Sequence, residues 1–429
     1  TGFGRNGSVN WQTTIKTGDF TAVSGEGYFI NTTSGTITMT LPASPSVGDI
    51  VAFKDYAGTF DTNNLTINRN GSNVIGGTNN PVITVEGQAG TLVYGDATQG
   101  WQIVEAATDA DLPRPTFITA TGGTVTCSPC GNDKIHTFTG PGTFAVSQIS
   151  NCAANNEVSY VIVAGGGGSA GFKPCSPAGG SGGGGAGGYR ESKSPVTPYT
   201  ASPLDGRPNA PNRITVTATS FPIAVGGGGT QGPRQSPGGV GTSGGVATFS
   251  TITSAGGGGG SNYPGPGAAG GSGGGGRGGG GGPCEAGGAG NTPSTTPAQG
   301  FPGGQGGAVG TGGGGGGATS AGTAGNAPGA SPTTPTQGGP GGAGATSSIN
   351  GTPTARAGGG GGSTGPSPAG NPGGVGGAGG GGNGGVPGST GQDGTDNTGG
   401  GGGGAKATGT CEPGTNGGSG VVIIRYKFQ

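Results

Sequence analysis

The chain has 429 residues, a formal net charge of −1, 28% hydrophobic residues and 8% charged residues. Glycine (118 residues) and proline (33) together make up about 35% of it, above the range of about 25–30% that marks biased composition. The balanced charge argues against nucleic-acid partners, which need clustered Lys and Arg. No apolar run approaches the ~20 residues that cross a bilayer, so no membrane insertion is expected. A single histidine excludes most catalytic triads and His-based metal sites, so we expect no enzymatic activity and no cofactor.

Residues 1–106 have the composition of an ordinary all-β domain. Short runs rich in β-branched and aromatic residues alternate with turn residues, as at 27–30, 36–41, 49–53 and 64–68. The run 36–41 alternates polar and apolar side chains, which is typical of a half-buried strand. About seven or eight such strands predict one small β-sandwich or barrel. A linker is predicted at 107–117.

The composition changes sharply near residue 159, since residues 1–158 hold 21 glycines and the rest hold 97. Strand-like islands persist in the glycine-rich part, at 135–138, 143–149, 158–163, 213–225, 246–254 and 421–428. We expect these islands to pair into one β frame within a glycine-rich domain that spans 118–429. The glycine-rich stretches then become insertions into this frame, the longest at 256–418.

The insertion at 256–418 cannot be ordered by a hydrophobic core. It contains three large apolar residues, Tyr263, Phe301 and Ile349. Fixing the backbone costs about 1–2 kcal/mol per residue, which the burial of three side chains cannot offset over such a length. The segment is therefore either a flexible coil or a lattice in which main chains hydrogen-bond to one another throughout.

A three-residue period favours the lattice. Pro302, Gln305 and Ala308 are separated by pairs of glycines, and Pro372, Val375 and Ala378 repeat the pattern. This period matches the polyproline-II helix, which has three residues per turn. We predict a bundle of parallel and antiparallel polyglycine-II rods whose non-glycine residues face outward. Uninterrupted glycine runs are predicted to be surrounded on every side, namely 256–260, 278–282, 312–317, 358–362 and 399–404.

Two other glycine-rich architectures are alternatives to this bundle. Collagen needs glycine at every third position and about 15–20% proline, and neither condition holds, so collagen is rejected. A flexible silk-like or mucin-like tract fits the composition alone. The period of three argues against this tract.

An ordered set of motifs resembles the glycine-rich domain common in bacteriophage tail-fibre proteins. The set covers about 70% of the chain, and its members are KIHTFTGPGTF at 134–144, SYVIVAGGGG at 159–168, GGYR at 187–190, ITV at 214–216, IAVGGGG at 223–229, TFSTI at 248–252 and GSGVVIIRY at 418–426. The part from GDFTA at 18–22 to Ile103 is similar to a β domain of marine, cyanophage-type virion structural proteins.

The resemblance implies a virion fibre protein. It suggests a stalk or attachment domain at 1–106 and a tail-fibre adhesin whose loops bind a glycan or outer-membrane protein of the host. It also implies a homotrimer, other virion proteins as partners, and an extracellular location on the virion. The alternatives are a capsid or tail decoration fibre without a receptor, a bacterial extracellular fibre, and a fibre-borne polysaccharide depolymerase, which would need paired carboxylates across a sugar cleft.

The candidate receptor-contact residues lie in Pro-, Ser-, Thr- and Asn-rich loops or are aromatics within the insertion. They are Asn326, Thr334, Gln337, Asn350, Arg356, Tyr263 and Phe301. For the two aromatics, packing against the edge of a rod is the alternative interpretation.

Six cysteines permit fifteen disulfide pairings. They are Cys127, Cys130, Cys152, Cys175, Cys284 and Cys411. Disulfides among the last three would brace a bundle without a core once the particle has left the reducing cytosol. Cys127 and Cys130 form a lone C-x-x-C, which favours a local disulfide or free thiols over a zinc site, so no metal is predicted.

Overall fold

The computed structural model describes residues 9–107, 116–129, 131–171, 179–233, 239–261, 265–279, 283–308, 310–326, 337–365, 372–405 and 412–429. Within these ranges the chain forms 22 β-strands, two short 3-10 turns and no α-helix, so the all-β prediction is confirmed. The chain separates into two compact units, Thr1–Arg114 and Pro115–Gln429. Most of the predicted linker at 107–117 lies outside the described residues.

The described part of the first unit, residues 9–107, forms nine strands in two sheets, ordered β1-β3-β5-β8-β9 and β2-β4-β6-β7. The strands are β1 (Asn10–Trp11), β2 (Phe20–Thr21), β3 (Glu26–Ile30), β4 (Ile37–Thr40), β5 (Ile50–Asp55), β6 (Leu65–Asn68), β7 (Val82–Ile83), β8 (Ala89–Asp96) and β9 (Gly100–Ala107). From β1 to β6 the chain alternates between the two sheets, so β1, β3 and β5 pair in parallel and β2, β4 and β6 do the same.

Alternating side chains fill the space between these two sheets. In β4, Ile37 and Met39 are buried while Thr38 and Thr40 are half-buried, as the sequence pattern predicts. Met39, Phe53 and Trp101 are fully buried members of one core to which both sheets contribute. The described strands form two open sheets over this core and close no barrel.

The described part of the second unit contains a frame of two sheets, ordered β10-β13-β17-β18-β19 and β11-β12-β22-β14-β15. β16 pairs with β14, and β20 and β21 form a separate hairpin. The strands are β10 (Thr119–Thr121), β11 (Thr124–Cys127), β12 (Asp133–Phe138), β13 (Gly142–Gln148), β14 (Glu157–Val163), β15 (Tyr189–Ser192), β16 (Ile214–Thr215), β17 (Ser220–Ala224), β18 (Ala247–Phe249), β19 (Ile252–Ser254), β20 (Ala345–Ser347), β21 (Thr354–Arg356) and β22 (Val421–Lys427).

The strand at the end of the chain closes this frame. β22 lies between β12 and β14 and pairs antiparallel with both, so the sequence islands at 135–138, 158–163 and 421–428 meet in one sheet. Phe144, Tyr160 and Phe249 are fully buried in the main core cluster of the frame. The predicted β frame is therefore present, and everything inserted between its strands is held at both ends.

The inserted segments form rods, defined here as stretches whose main chain bonds to neighbouring stretches at steps of three residues. The rods are 164–171, 179–188, 225–233, 239–246, 255–261, 266–270, 272–279, 285–290, 300–308, 310–318, 320–326, 337–344, 357–365, 372–378, 380–386, 391–396, 399–405 and 412–420. A step of three is the signature of the polyglycine-II helix.

The rod at 179–188 shows the full lattice, with six neighbouring rods. It donates main-chain bonds of 2.8–3.2 Å to three of them: from Gly183 and Ala186 to Gly313 and Gly316, from Gly182, Gly185 and Gly188 to Ser261, Gly258 and Ala255, and from Gly184 and Gly187 to Gly402 and Gly399. It accepts bonds from the rods at 164–171, 272–279 and 357–365. The register rises along the first partner and falls along the other two, so parallel and antiparallel neighbours coexist as predicted.

Glycine is required in this lattice because neighbouring rods lie too close together to leave room for a Cβ atom. A Cβ added to Gly184 would lie 2.0 Å from the carbonyl oxygen of Gly167. At Gly315 and Gly401 it would lie 2.0 Å from the oxygen of Gly184 itself. A real Cβ does not approach a backbone atom within 3.0 Å, so each such position excludes every residue except glycine.

Rods without outward side chains occupy the interior of the bundle. The rods at 164–171, 179–188, 272–279, 310–318, 357–365 and 399–405 are buried along their whole length, and the rod at 255–261 is buried except at half-buried Gly256. All but one of the residues that the structure describes in the predicted uninterrupted glycine runs are buried as well, Gly256 being half-buried and residues 280–282 lying outside the described ranges. The remaining rods form a rim around this interior.

Candidate functional site

The rim presents side chains at every third position. Pro302, Gln305 and Ala308 are exposed, and the glycines between them are buried or half-buried. Pro372, Val375 and Ala378 repeat this pattern, and Val375 is 61% exposed. The predicted outward direction of Gln305 and Val375 is confirmed. The outward side chains of these rods are therefore small or medium in size, uncharged and spaced three residues apart.

The rods give the bundle two ends, which we call the sheet end and the far end. The rods 164–171, 225–233, 255–261 and 357–365 leave strands of the frame or of the hairpin, and the rods 179–188, 239–246, 337–344 and 412–420 return to them. The chain therefore reverses at the far end between most outgoing and returning rods. The rods on either side of 172–178, 234–238, 262–264, 280–282, 327–336, 366–371 and 406–411 end there, and these seven segments lie outside the described residues.

Two of the predicted contact residues, Asn326 and Gln337, flank the connection 327–336 at the far end. Thr334 and Tyr263 fall in connections outside the described residues. A far-end turn that the sequence analysis missed is described: Val386 and Ser389 exchange main-chain hydrogen bonds of 3.0 and 3.1 Å. Its signal in the sequence is the short Val-Pro-Gly-Ser segment directly after Gly384 and Gly385.

The other predicted contact residues lie at the sheet end, so the structure does not bring the predicted set together. Asn350 is half-buried in the loop of the β20-β21 hairpin, where its Nδ2 donates to Thr354 Oγ1 at 3.3 Å. Phe301 is 36% exposed beside the sheet-end loop 291–299. Arg356 is 6% exposed, so its side chain is not presented to a partner as the sequence analysis expected.

Arg356 is buried because the hairpin packs on the frame. Ile349, between the two hairpin strands, is fully buried in a cluster with Val161 and Tyr189 of the frame. Below it, the buried Glu191 carboxylate accepts hydrogen bonds from Tyr189 Oη at 2.8 Å, from the Ser202 main-chain N–H at 3.0 Å and from Ser347 Oγ at 2.6 Å. Burial lowers the pKa of Arg356, an effect that Tyr189 and Glu191 oppose. These groups therefore fasten the hairpin and are not available for recognition.

The cysteines add no site among the described residues. Cys127 and Cys152 are exposed, Cys284 is half-buried, and all three are free thiols. Cys130, Cys175 and Cys411 lie outside the described ranges, so pairings among these three stay predictions. Nowhere in the described ranges do three or more His, Cys, Asp or Glu side chains gather as a metal site. The described part of the chain also has no helix with the length and apolarity needed to cross a membrane.

His136 is a structural residue of the frame. Its ring is fully buried, Nδ1 lies 2.7 Å from the Gly122 carbonyl oxygen, and Nε2 lies 3.1 Å from Tyr426 Oη. Since a carbonyl oxygen only accepts, we assign the proton of the neutral ring to Nδ1, and Nε2 accepts from the tyrosine. Burial lowers the pKa of His136 below 6.5, with a smaller lowering from the Lys134 charge, while the bond to Gly122 opposes the shift.

The depressed pKa of His136 predicts a loss of stability in mild acid. Below pH 6.5 the histidine of the unfolded chain takes up a proton that the folded ring resists, so the free energy of unfolding falls until the folded pKa is passed. Thermal unfolding at pH 7.5, 6.5 and 5.5 should show a steeper decline for the wild type than for His136→Gln. Parallel curves for the two proteins would contradict the assignment.

The comparisons with known proteins agree with this architecture. The family model for the glycine-rich domain matches residues 137–427, from β12 of the frame to the end of β22. A search of curated proteins finds no match to the chain. Since the matched range covers more than half of the chain and includes every rod, the chain belongs to the glycine-rich domain family.

Proposed function

We propose that this chain is a virion structural fibre protein, a phage tail-fibre adhesin that uses the far end of the glycine bundle to bind a host surface receptor. The first unit serves as the stalk or attachment domain, and three copies assemble, as the sequence resemblance implies. The bundle is a rigid support, because main-chain hydrogen bonds join each interior rod to its neighbours. Binding chemistry must therefore reside in the connections and on the rim.

The observation that carries the proposal is the placement of the side-chain-rich connections. The described rod ends lie at the far end on both sides of the segments FKPCSPA at 172–178, RQSPG at 234–238, APGASPTTPT at 327–336, PSPAGN at 366–371 and KATGTC at 406–411. Small hydroxyl and amide groups of this kind suit recognition of a glycan or outer-membrane protein through many polar contacts. The rod ends that flank these segments are far apart in sequence and lie together at one end of a stiff body.

The test compares the two ends of the bundle. In one variant, residues 327–336 are replaced by ten alternating Gly and Ser residues, with Asn326 and Gln337 kept. In the matched control, the exposed sheet-end residues Thr352 and Pro353 become Gly and Ser. Binding of the purified full chain to intact cells of a bacterial panel is measured by flow cytometry. We expect the far-end variant to lose at least about tenfold in affinity, about 1.4 kcal/mol, and the control to match the wild type.

The remaining outcomes separate the alternatives. Equal binding by both variants, or loss in the control alone, would overturn the far-end assignment. Absence of binding by the wild type across the panel would favour a decoration fibre. Release of reducing sugar from the bound cell envelopes would favour a depolymerase. Sedimentation equilibrium of the wild type tests the expected trimer independently of binding.

A further inference from the structure

Rim rods differ from interior rods at one position in three. In the rod at 337–344, the N–H groups of residues 338, 341 and 344 bond to the rod at 372–378, and those of residues 339 and 342 bond to the rod at 310–318. The remaining positions, Gln337, Pro340 and Ala343, are exposed or half-buried and carry the outward side chains. Without these side chains, the outer face of a rim rod would be the same polyglycine surface that binds a neighbour in the interior.

An outer rod with no blocking side chains could bind a further rod through its main-chain groups, just as an exposed edge strand can pair with a strand of another chain. Contact between two rods requires an approach so close that a Cβ at the interface would lie about 2 Å from a neighbouring carbonyl oxygen, as at Gly184 and Gly360. A single outward Cβ therefore suffices to keep another rod at a distance. Proline at this position also removes an outward N–H donor.

We propose that the outward side chains of the rim rods stop the lattice from adding rods of a second copy of this chain. The rods at 337–344 and 372–378 are adjacent, and together they form a shallow groove in which an added rod could bond to both. Val375 is 61% exposed there, so its side chain occupies space that an incoming main chain would need. The three-residue period then has two roles, since its glycines build the bundle and its third residue limits the size of the bundle.

The test removes the outward Cβ atoms from this groove. The glycine variant of the full chain carries Q337G, P340G, A343G, P372G, V375G and A378G. The matched alanine variant carries Q337A, P340A, P372A and V375A, so the two proteins differ only by a Cβ at each of six positions. Sedimentation velocity over a hundredfold range of concentration should show the alanine variant at the wild-type mass. The glycine variant should form larger assemblies whose mass rises with concentration.

The proposal is overturned if the glycine variant keeps the wild-type mass while hydrogen exchange shows that its interior rods remain protected. Should the glycine variant lose that protection, P302G/Q305G/A308G repeats the test on another rim rod, with P302A/Q305A as its control. Equal masses in that pair would overturn the proposal. Receptor binding has no part in this readout, so failure here leaves the adhesin proposal untouched.

Discussion

Gly184→Ala is expected to lower the free energy of unfolding of the second unit by about 3 kcal/mol or more, because the new methyl group meets main chain on a neighbouring rod. Its Cβ would lie 2.0 Å from the Gly167 oxygen and 3.1 Å from the Gly402 nitrogen. Overpacking of an ordinary core costs about 1–3 kcal/mol, where side chains can move aside. Here the new methyl group meets backbone atoms of Gly167 and Gly402, and the rod that carries it is enclosed by six others. The clash can be relieved only if rods move apart. Calorimetric unfolding and hydrogen exchange of the interior rods measure the loss.

Gly227→Ala is the matched control. Gly227 lies in the rim rod at 225–233, is exposed, and would place a Cβ with no atom within 4 Å. The same substitution should therefore change the free energy of unfolding by less than about 1 kcal/mol, with a small gain expected because alanine restricts the unfolded chain. Similar losses in the two variants would mean that packing between rods is not what requires glycine in this protein.

The outward face of a rim rod could be predicted from the sequence because close packing between rods excludes side chains from the contact faces. A position that faces solvent accepts a side chain without displacing a neighbouring rod, so spacing in triplets reports the outward face, as at Gln305 and Val375. A run of six glycines, such as 312–317, reports a rod with no outward face at all. The order of rods around the bundle could not be predicted, since every rod offers its neighbours the same main-chain groups.

Other features depend on contacts that composition does not encode. The parallel winding of the first unit was not predicted, because β-branched and aromatic patterns report burial and not the direction of the partner strand. Arg356 was expected to contact a receptor because it closes a Ser-, Thr- and Asn-rich loop. The contrary signal was Ile349, one large apolar residue in a glycine-rich region, which draws the hairpin onto the frame.

Asp133→Ala is expected to cost about 3–5 kcal/mol, because it leaves the Arg425 guanidinium buried without its counter-charge. The two side chains are 1% and 4% exposed, and Arg425 Nε and Nη2 lie 2.8 and 2.7 Å from Asp133 Oδ2. Arg425 also donates to the carbonyl oxygens of Ile349 at 3.3 Å and Pro198 at 2.9 Å. The ion pair thus joins two frame strands to the sheet-end loops above them.

The half-exposed pair of Arg207 and Glu157 provides the comparison, with 31% and 16% of the side chains exposed and 2.7 Å between Nε and Oε1. Water screens this pair, so Glu157→Ala should cost only about 0–1 kcal/mol. Adding Arg425→Met to Asp133→Ala removes the stranded charge and should restore much of the lost stability. Thermal unfolding of the four proteins decides the matter. If the double variant is no more stable than Asp133→Ala, the cost arises from lost packing, and the buried charge is not its cause.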